Sequence, residues 1–130
     1  MIVDTSAVMA ILLSEEEADR FAAAITRSAH PRWSAASAVE LQAVLTRRFR
    51  NLLDAEADAV IAALRLEVVP VTVEQSNIAS EAYRRFGIGS HHPARLNFGD
   101  CFAYALSKTS GEPLLFKGDD FAATDIVAAA

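Results

Sequence analysis

Met1-Ile2-Val3-Asp4-Thr5-Ser6 opens on three apolar residues, closes them with a carboxylate and adds two hydroxyl side chains. The apolar run suits one short buried strand, and the spacing beyond it predicts a helix over residues 6–13. The same alternation repeats outward from there. Ser14 with Glu17 reads as a capping box for a helix to about Arg27, and residues 31–34 as a second strand. Ser37 with Glu40 reads as another capping box, ahead of Leu41, Val44 and Leu45 on one face of a helix ending near Arg48 to Arg50. Asp54 caps a helix to Leu66, residues 67–71 form a third strand, and Thr72 with Gln75 caps a helix that Gly87 terminates. Residues 87–98 read as loop. Gly99 or Asp100 opens a helix to Gly111, residues 114–116 form a fourth strand, and a last short strand falls at 125–127. Short strands separated by helices imply parallel pairing with helices on both faces. The expected fold is α/β, a three-layer α/β/α sandwich around a central, mainly parallel sheet, in one domain over residues 1–130.

Composition narrows the function classes. With 52% hydrophobic and 22% charged residues in a chain of 130, the sequence is globular. Cys101 is the only cysteine, which excludes an internal disulfide and a cysteine-based zinc site. No stretch reaches the ~18 apolar residues of a membrane span and no basic leader precedes the first strand, so a soluble, cytoplasmic protein with no membrane partner is expected. The net charge of −5 argues against holding nucleic acid by general attraction. Local charge differs: Arg84, Arg85 and Arg95 with His91 and His92 form the one candidate phosphate-contact surface, beside a second basic cluster at Arg47, Arg48 and Arg50. The Gly-rich loops that cradle nucleotides are absent.

Four carboxylates carry the chemistry: Asp4, Glu40, Asp100 and Asp119. Asp4 ends the first strand, Glu40 and Asp100 lie near helix starts, and Asp119 follows the apolar run of the fourth strand. In open α/β sheets these positions share the side where ligands bind. Each acid also has a plain structural role available. Asp4 serves as a helix N-cap, Glu40 as the end of a capping box, Asp100 as a favoured charge at a helix N-terminus, and Asp119 as a turn residue. Together at one sheet edge, without matching cations, they would repel, and the simplest resident is a divalent metal with oxygen ligands, Mg²⁺ or Mn²⁺. His30 and the His91-His92 pair lack the helical i, i+4 spacing of a zinc motif. Trp33 and Cys101 read as core.

Four segments resemble a PIN domain, specifically the VapC-type toxins of bacterial type II toxin–antitoxin modules. They are Ile-Val-Asp4-Thr-Ser-Ala, Ser-Ala-Val-Glu40-Leu, Leu-Asn-Phe-Gly-Asp100-Cys-Phe-Ala-Tyr-Ala-Leu and Pro-Leu-Leu-Phe-Lys-Gly-Asp119-Asp120-Phe. The resemblance implies a PIN-like, Rossmann-like fold and a metal-dependent endoribonuclease. It places the first three family acids on Asp4, Glu40 and Asp100, with Asp119 favoured and Asp120 open as the fourth. Asp4 and Asp100 are the expected direct metal ligands, Glu40 the group that binds a metal water or accepts its proton, and Ser6 an orienting hydroxyl. It further implies an RNA substrate, a homodimer and a cognate VapB-like antitoxin, for which Leu12, Leu13 and Phe21 offer an apolar groove or, equally, core.

Three rival classes share some of these features. A haloacid-dehalogenase-like phosphatase resembles this chain in its strand-end Asp and Mg²⁺, but its Asp-x-Asp motif meets Ser6 here. A response-regulator receiver needs an Asp ending a middle strand, which residues 67–72 lack. A non-catalytic PIN-like protein-binding module is the third, and the four retained acids argue against it.

Overall fold

Ile2 and Val3 point to opposite faces of a sheet, and that alternation organises the molecule. The computed structural model describes residues 1–130. Four strands, β1 (Ile2–Val3), β2 (Arg32–Ser34), β3 (Glu67–Val69) and β4 (Leu114–Leu115), pair in the order β3-β2-β1-β4, every pairing parallel. Six helices connect them: α1 (Thr5–Leu12), α2 (Ala18–Arg27), α3 (Ala35–Phe49), α4 (Asp54–Leu64), α5 (Val73–Phe86) and α6 (Asp100–Ser110).

Parallel sheets need both faces covered, and the two cores show how. Ile2 and Leu114 face one core, filled by Ala79, Ala82 and Phe86 of α5 and by α6. Val3 and Leu115 face the other, filled by Trp33 with side chains of α1 to α4. This is the expected three-layer sandwich. Trp33 and Phe21 are almost fully buried, and each such side chain contributes about 1.5–3 kcal/mol or somewhat more.

Several boundaries follow the sequence reading for the stated reasons. Thr72 Oγ1 accepts from Gln75 N at 3.1 Å to cap α5, and Gly87 closes it. Gly111 ends α6 with φ of 68°, a left-handed conformation that costs glycine little. Other expectations are corrected. Ser14 stands in a left-handed turn and α2 starts at Ala18 without a side-chain cap, so no capping box forms there; Glu15 and Glu17 instead pair with Lys117. At α3 the cap is Ser34, whose hydroxyl accepts from Ala36 N. Ser37 is buried inside the first turn with its hydroxyl unpartnered, which releases Glu40 from the expected cap. Asp54 is the first helical residue of α4 rather than its cap. The last strand reduces to an isolated bridge between Leu114 and Ala128. Phe21 lies in the core, so it cannot line a groove for a partner.

Candidate active site

The carboxyl ends of β1 and β4 and the starts of α1, α3 and α6 converge on one cleft of about 590 Å³. Asp4, Glu40 and Asp100 line it together, as expected from the sequence. Of the adjacent acids in the turn after β4, Asp120 lines the cleft and the expected Asp119 does not. The turn bends at Gly118, φ 98°, and Asp120 leads into a short 3-10 helix, Phe121–Ala123.

Each acid is fixed by local chemistry. Asp4 caps α1 through Oδ2, which accepts from Ser6 N at 2.9 Å; its other oxygen, Oδ1, is buried with no hydrogen-bond partner. Asp100 and Asn97 bond reciprocally: Asn97 N donates to Asp100 Oδ2 at 2.9 Å and Asp100 N donates to Asn97 Oδ1 at 2.8 Å. This is the capping-box arrangement built from Asn and Asp, and it holds Asp100 in one rotamer. Thr5 Oγ1 donates to the Ser37 carbonyl at 3.1 Å, tying the start of α1 to the first turn of α3. Ser6 Oγ accepts from Lys117 N at 3.0 Å, which docks the turn after β4 against Asp4.

Glu40 depends on a residue with no side chain. A Cβ built on Gly99 would lie 1.2 Å from Glu40 Oε2. The backbone of Gly99 is helical, φ −64° and ψ −40°, so the glycine is required for space rather than for conformation. The Glu40 carboxylate thus rests against the N-terminus of α6, where a negative charge is favoured.

Electrostatically the cleft is unresolved. None of Asp4, Glu40, Asp100 or Asp120 takes part in an ion pair. Burial pushes Asp4 above the ordinary carboxylate range despite hydrogen bonds from Ser6, with the Asp120 charge adding to the rise. Burial and then the Asp4 charge raise Glu40, against the opposing influence of Thr5 and Arg47. Burial and then the Asp4 charge push Asp100 up to about 7. Buried carboxylates without ion-pair partners are costly, and the orphaned oxygen of Asp4 is a place where a cation would be held. The donor set, all hard oxygen, fits Mg²⁺ or Mn²⁺. No three His, Cys, Asp or Glu side chains converge tightly enough to enclose an ion by themselves, which suits an ion that keeps several waters.

The second basic cluster of the sequence meets the acids here, with two side chains the sequence reading did not place at the site. Arg47 and Arg48 line the cleft, as do Asn97 and Lys117. None of the residues from Arg84 to Arg95 does; Arg84 is paired with Glu81 and Arg85 lies over the Phe86 ring. Asn97 was legible as Asn-x-x-Asp before a helix. A second, apolar cleft abuts the first, lined by Ala36, Val39, Ala43, Phe98 and Phe102 with Glu40 at its edge.

A family model for the PIN domain matches residues 1–127, and the chain belongs to the PIN-domain family. Its relatives sharpen this to the VapC branch. It is similar to Ribonuclease VapC42 of Mycobacterium tuberculosis (strain H37Rv), 47% identical over 126 residues, covering 97% of this chain and 96% of that protein. It is also similar to Ribonuclease VapC30 of the same strain, 43% identical over 130 residues, covering 100% and 98%. Among solved structures, Mycobacterium tuberculosis VapC20, described as a sarcin-ricin loop cleaving toxin, matches with a TM-score of 0.74 over 97% of this chain and 95% of that one. At 22% identity that likeness speaks for the fold. The expected family and the three-layer architecture are thereby borne out.

Proposed function

We propose that this chain is a VapC-type toxin, an endoribonuclease hydrolysing RNA phosphodiester bonds at the cleft of Asp4, Glu40 and Asp100, with Asp120 as the fourth acid. The observation that carries the reading is the set of carboxylates without ion-pair partners at the carboxyl end of the sheet, in a chain related to ribonucleases over nearly its full length.

Asp4, through its free Oδ1, and Asp100 would hold Mg²⁺ or Mn²⁺. Bound there, the ion supplies activation of a water and neutralisation of charge developing on the scissile phosphate. Glu40 is the proton acceptor for the attacking water, because its raised pKa brings its basicity closer to neutral pH. Asp120, at the cleft rim, orients an outer water. Ser6 and Thr5 keep the acids in register by tying α1 to the turn after β4 and to α3.

The partners follow the same reading. A VapB-type antitoxin would lay an apolar helix in the cleft of Val39, Phe98 and Phe102 and reach Glu40 with a basic side chain. The chain would act in the cytoplasm, as a homodimer; no helix is long and apolar enough to cross a membrane.

The test is cleavage of a total RNA pool by the purified chain in Mg²⁺, Mn²⁺ or EDTA, beside Asp4→Asn and Asp100→Asn with folding confirmed. Discrete fragments that vanish with EDTA and in both variants are expected. Absence of cutting in every metal, with antitoxin shown to be absent, would overturn the reading in favour of a binding module.

A further inference from the structure

Glu40, Ala43, Val44, Arg47 and Arg48 all line the acidic cleft. Their steps of three and four place them on one side of α3, flanking the buried Leu41 and Leu45. With a rise of about 1.5 Å per residue, the stripe runs about 10–12 Å along the helix from Glu40 to the arginines. Arg47 is near enough to the acids for its charge to act on Glu40, and Arg48 follows it on the same cleft wall.

The Arg47 charge reaches Glu40, yet neither arginine is closed into a pair. Arg47 and Arg48 take part in no ion pair, although four acids line the same cleft. The cation on the facing wall behaves otherwise: Lys117 is paired with both Glu15 and Glu17. Arg48 lies over the Phe49 ring, 5.1 Å from its centroid. Such stacking steadies the guanidinium plane and leaves its N–H edge to an acceptor. In a chain of net charge −5, a pair of uncommitted arginines beside a hydrolytic cleft matches the bidentate geometry of phosphate.

We infer that Arg47 and Arg48 form a phosphate-binding track for the RNA strand on one side of the scissile bond. The strand leaves the acid centre along α3 toward its C-terminal end, not across Lys117. Their distance from Glu40 along α3 assigns them a neighbouring phosphate instead of the scissile one. The track rests on the ribonuclease reading and adds to it a direction for the substrate.

The experiment measures binding of a short fluorescent single-stranded RNA to the full chain across a series of salt concentrations in Mg²⁺. An Asp4→Asn background keeps the RNA intact, and Arg47→Gln, Arg48→Gln and Lys117→Gln are added singly to it. All three positions are exposed, and circular dichroism confirms each fold. The plot of log K against log salt should lose about 0.7 of slope for each arginine removed, and none for Lys117→Gln. Unchanged slope in both arginine variants, or an equal loss for Lys117→Gln, overturns the track. If wild type still cuts RNA in an Asp4-dependent manner in that case, the ribonuclease reading survives without it. Absence of both binding and cleavage by wild type overturns both.

Discussion

At the start of β1, Glu112 is shared between the Met1 ammonium and the Arg32 guanidinium, whereas at its end Asp4, Glu40 and Asp100 share one cleft and none of them forms an ion pair. Burial alone would raise Glu112, yet hydrogen bonds and charge from its two partners hold it below its ordinary value. The three site acids are all raised. One sheet therefore carries a satisfied charge cluster at one end and a frustrated one at the other. A satisfied cluster serves the fold. Buried like charges weaken the fold, and their retention points to a ligand that resolves them.

The largest test of this contrast is neutralisation of the frustrated end. Asp4→Asn retains the helix cap, and Asp100→Asn retains most of its hydrogen bonds. Each should lower RNA cleavage about a thousandfold while raising the thermal midpoint in EDTA by about 2–4 °C. A lowered midpoint in both variants would break the comparison, because the acids would then be stabilising the fold. Gly99→Ala comes next. The new methyl displaces the flexible end of Glu40, and we expect about a hundredfold loss of cleavage, from misplacement of a reacting group, with stability in urea changed by less than about 1 kcal/mol.

Titration separates the two ends by sign. Asp100 is near 7 in the folded chain against an ordinary 3.8, so between those values the folded state holds the extra proton. Its contribution makes the metal-free protein most stable below that window and progressively less stable as pH rises to about 7. Urea unfolding in EDTA should show this slope in wild type and a flatter one in Asp100→Asn. Glu112 has the opposite sign: its stabilisation is present above its ordinary 4.5 and is lost as pH falls through the lower folded value. The smallest effect belongs here. Glu112→Gln should cost about 1 kcal/mol near neutral pH and leave the cleavage rate unchanged, measured by the same unfolding and RNA assays.

The sequence showed much of this, unevenly and for physical reasons. The strand-to-helix passage at Asp4, the Thr72–Gln75 cap and the stops at Gly87 and Gly111 are local events, set by residues within a few positions, and local pattern reveals them. Ser14-x-x-Glu17 and Ser37-x-x-Glu40 carry the same capping signature as genuine boxes, but distant chemistry claims their acids. Lys117 takes Glu17, and the space left by Gly99 takes Glu40. Which of Asp119 and Asp120 turns toward the cleft depends on the left-handed bend at Gly118 and its anchor on Ser6. No spacing rule contains that contact. Arg47 and Arg48 stand out in the sequence as a basic cluster, but only the course of α3 brings them to the acids.

The strand order carries a consequence for a toxin while it is being made. β1 sits between β2 and β4, yet β4 follows three strands and all six helices in the chain. A ribosome releasing this polypeptide thus exposes Asp4 early, without the turn after β4 that anchors on Ser6 and brings Asp120 to the cleft. Contacts of such long sequence separation form late. The nascent chain is disarmed by its own topology until β4 and the turn after it have been made.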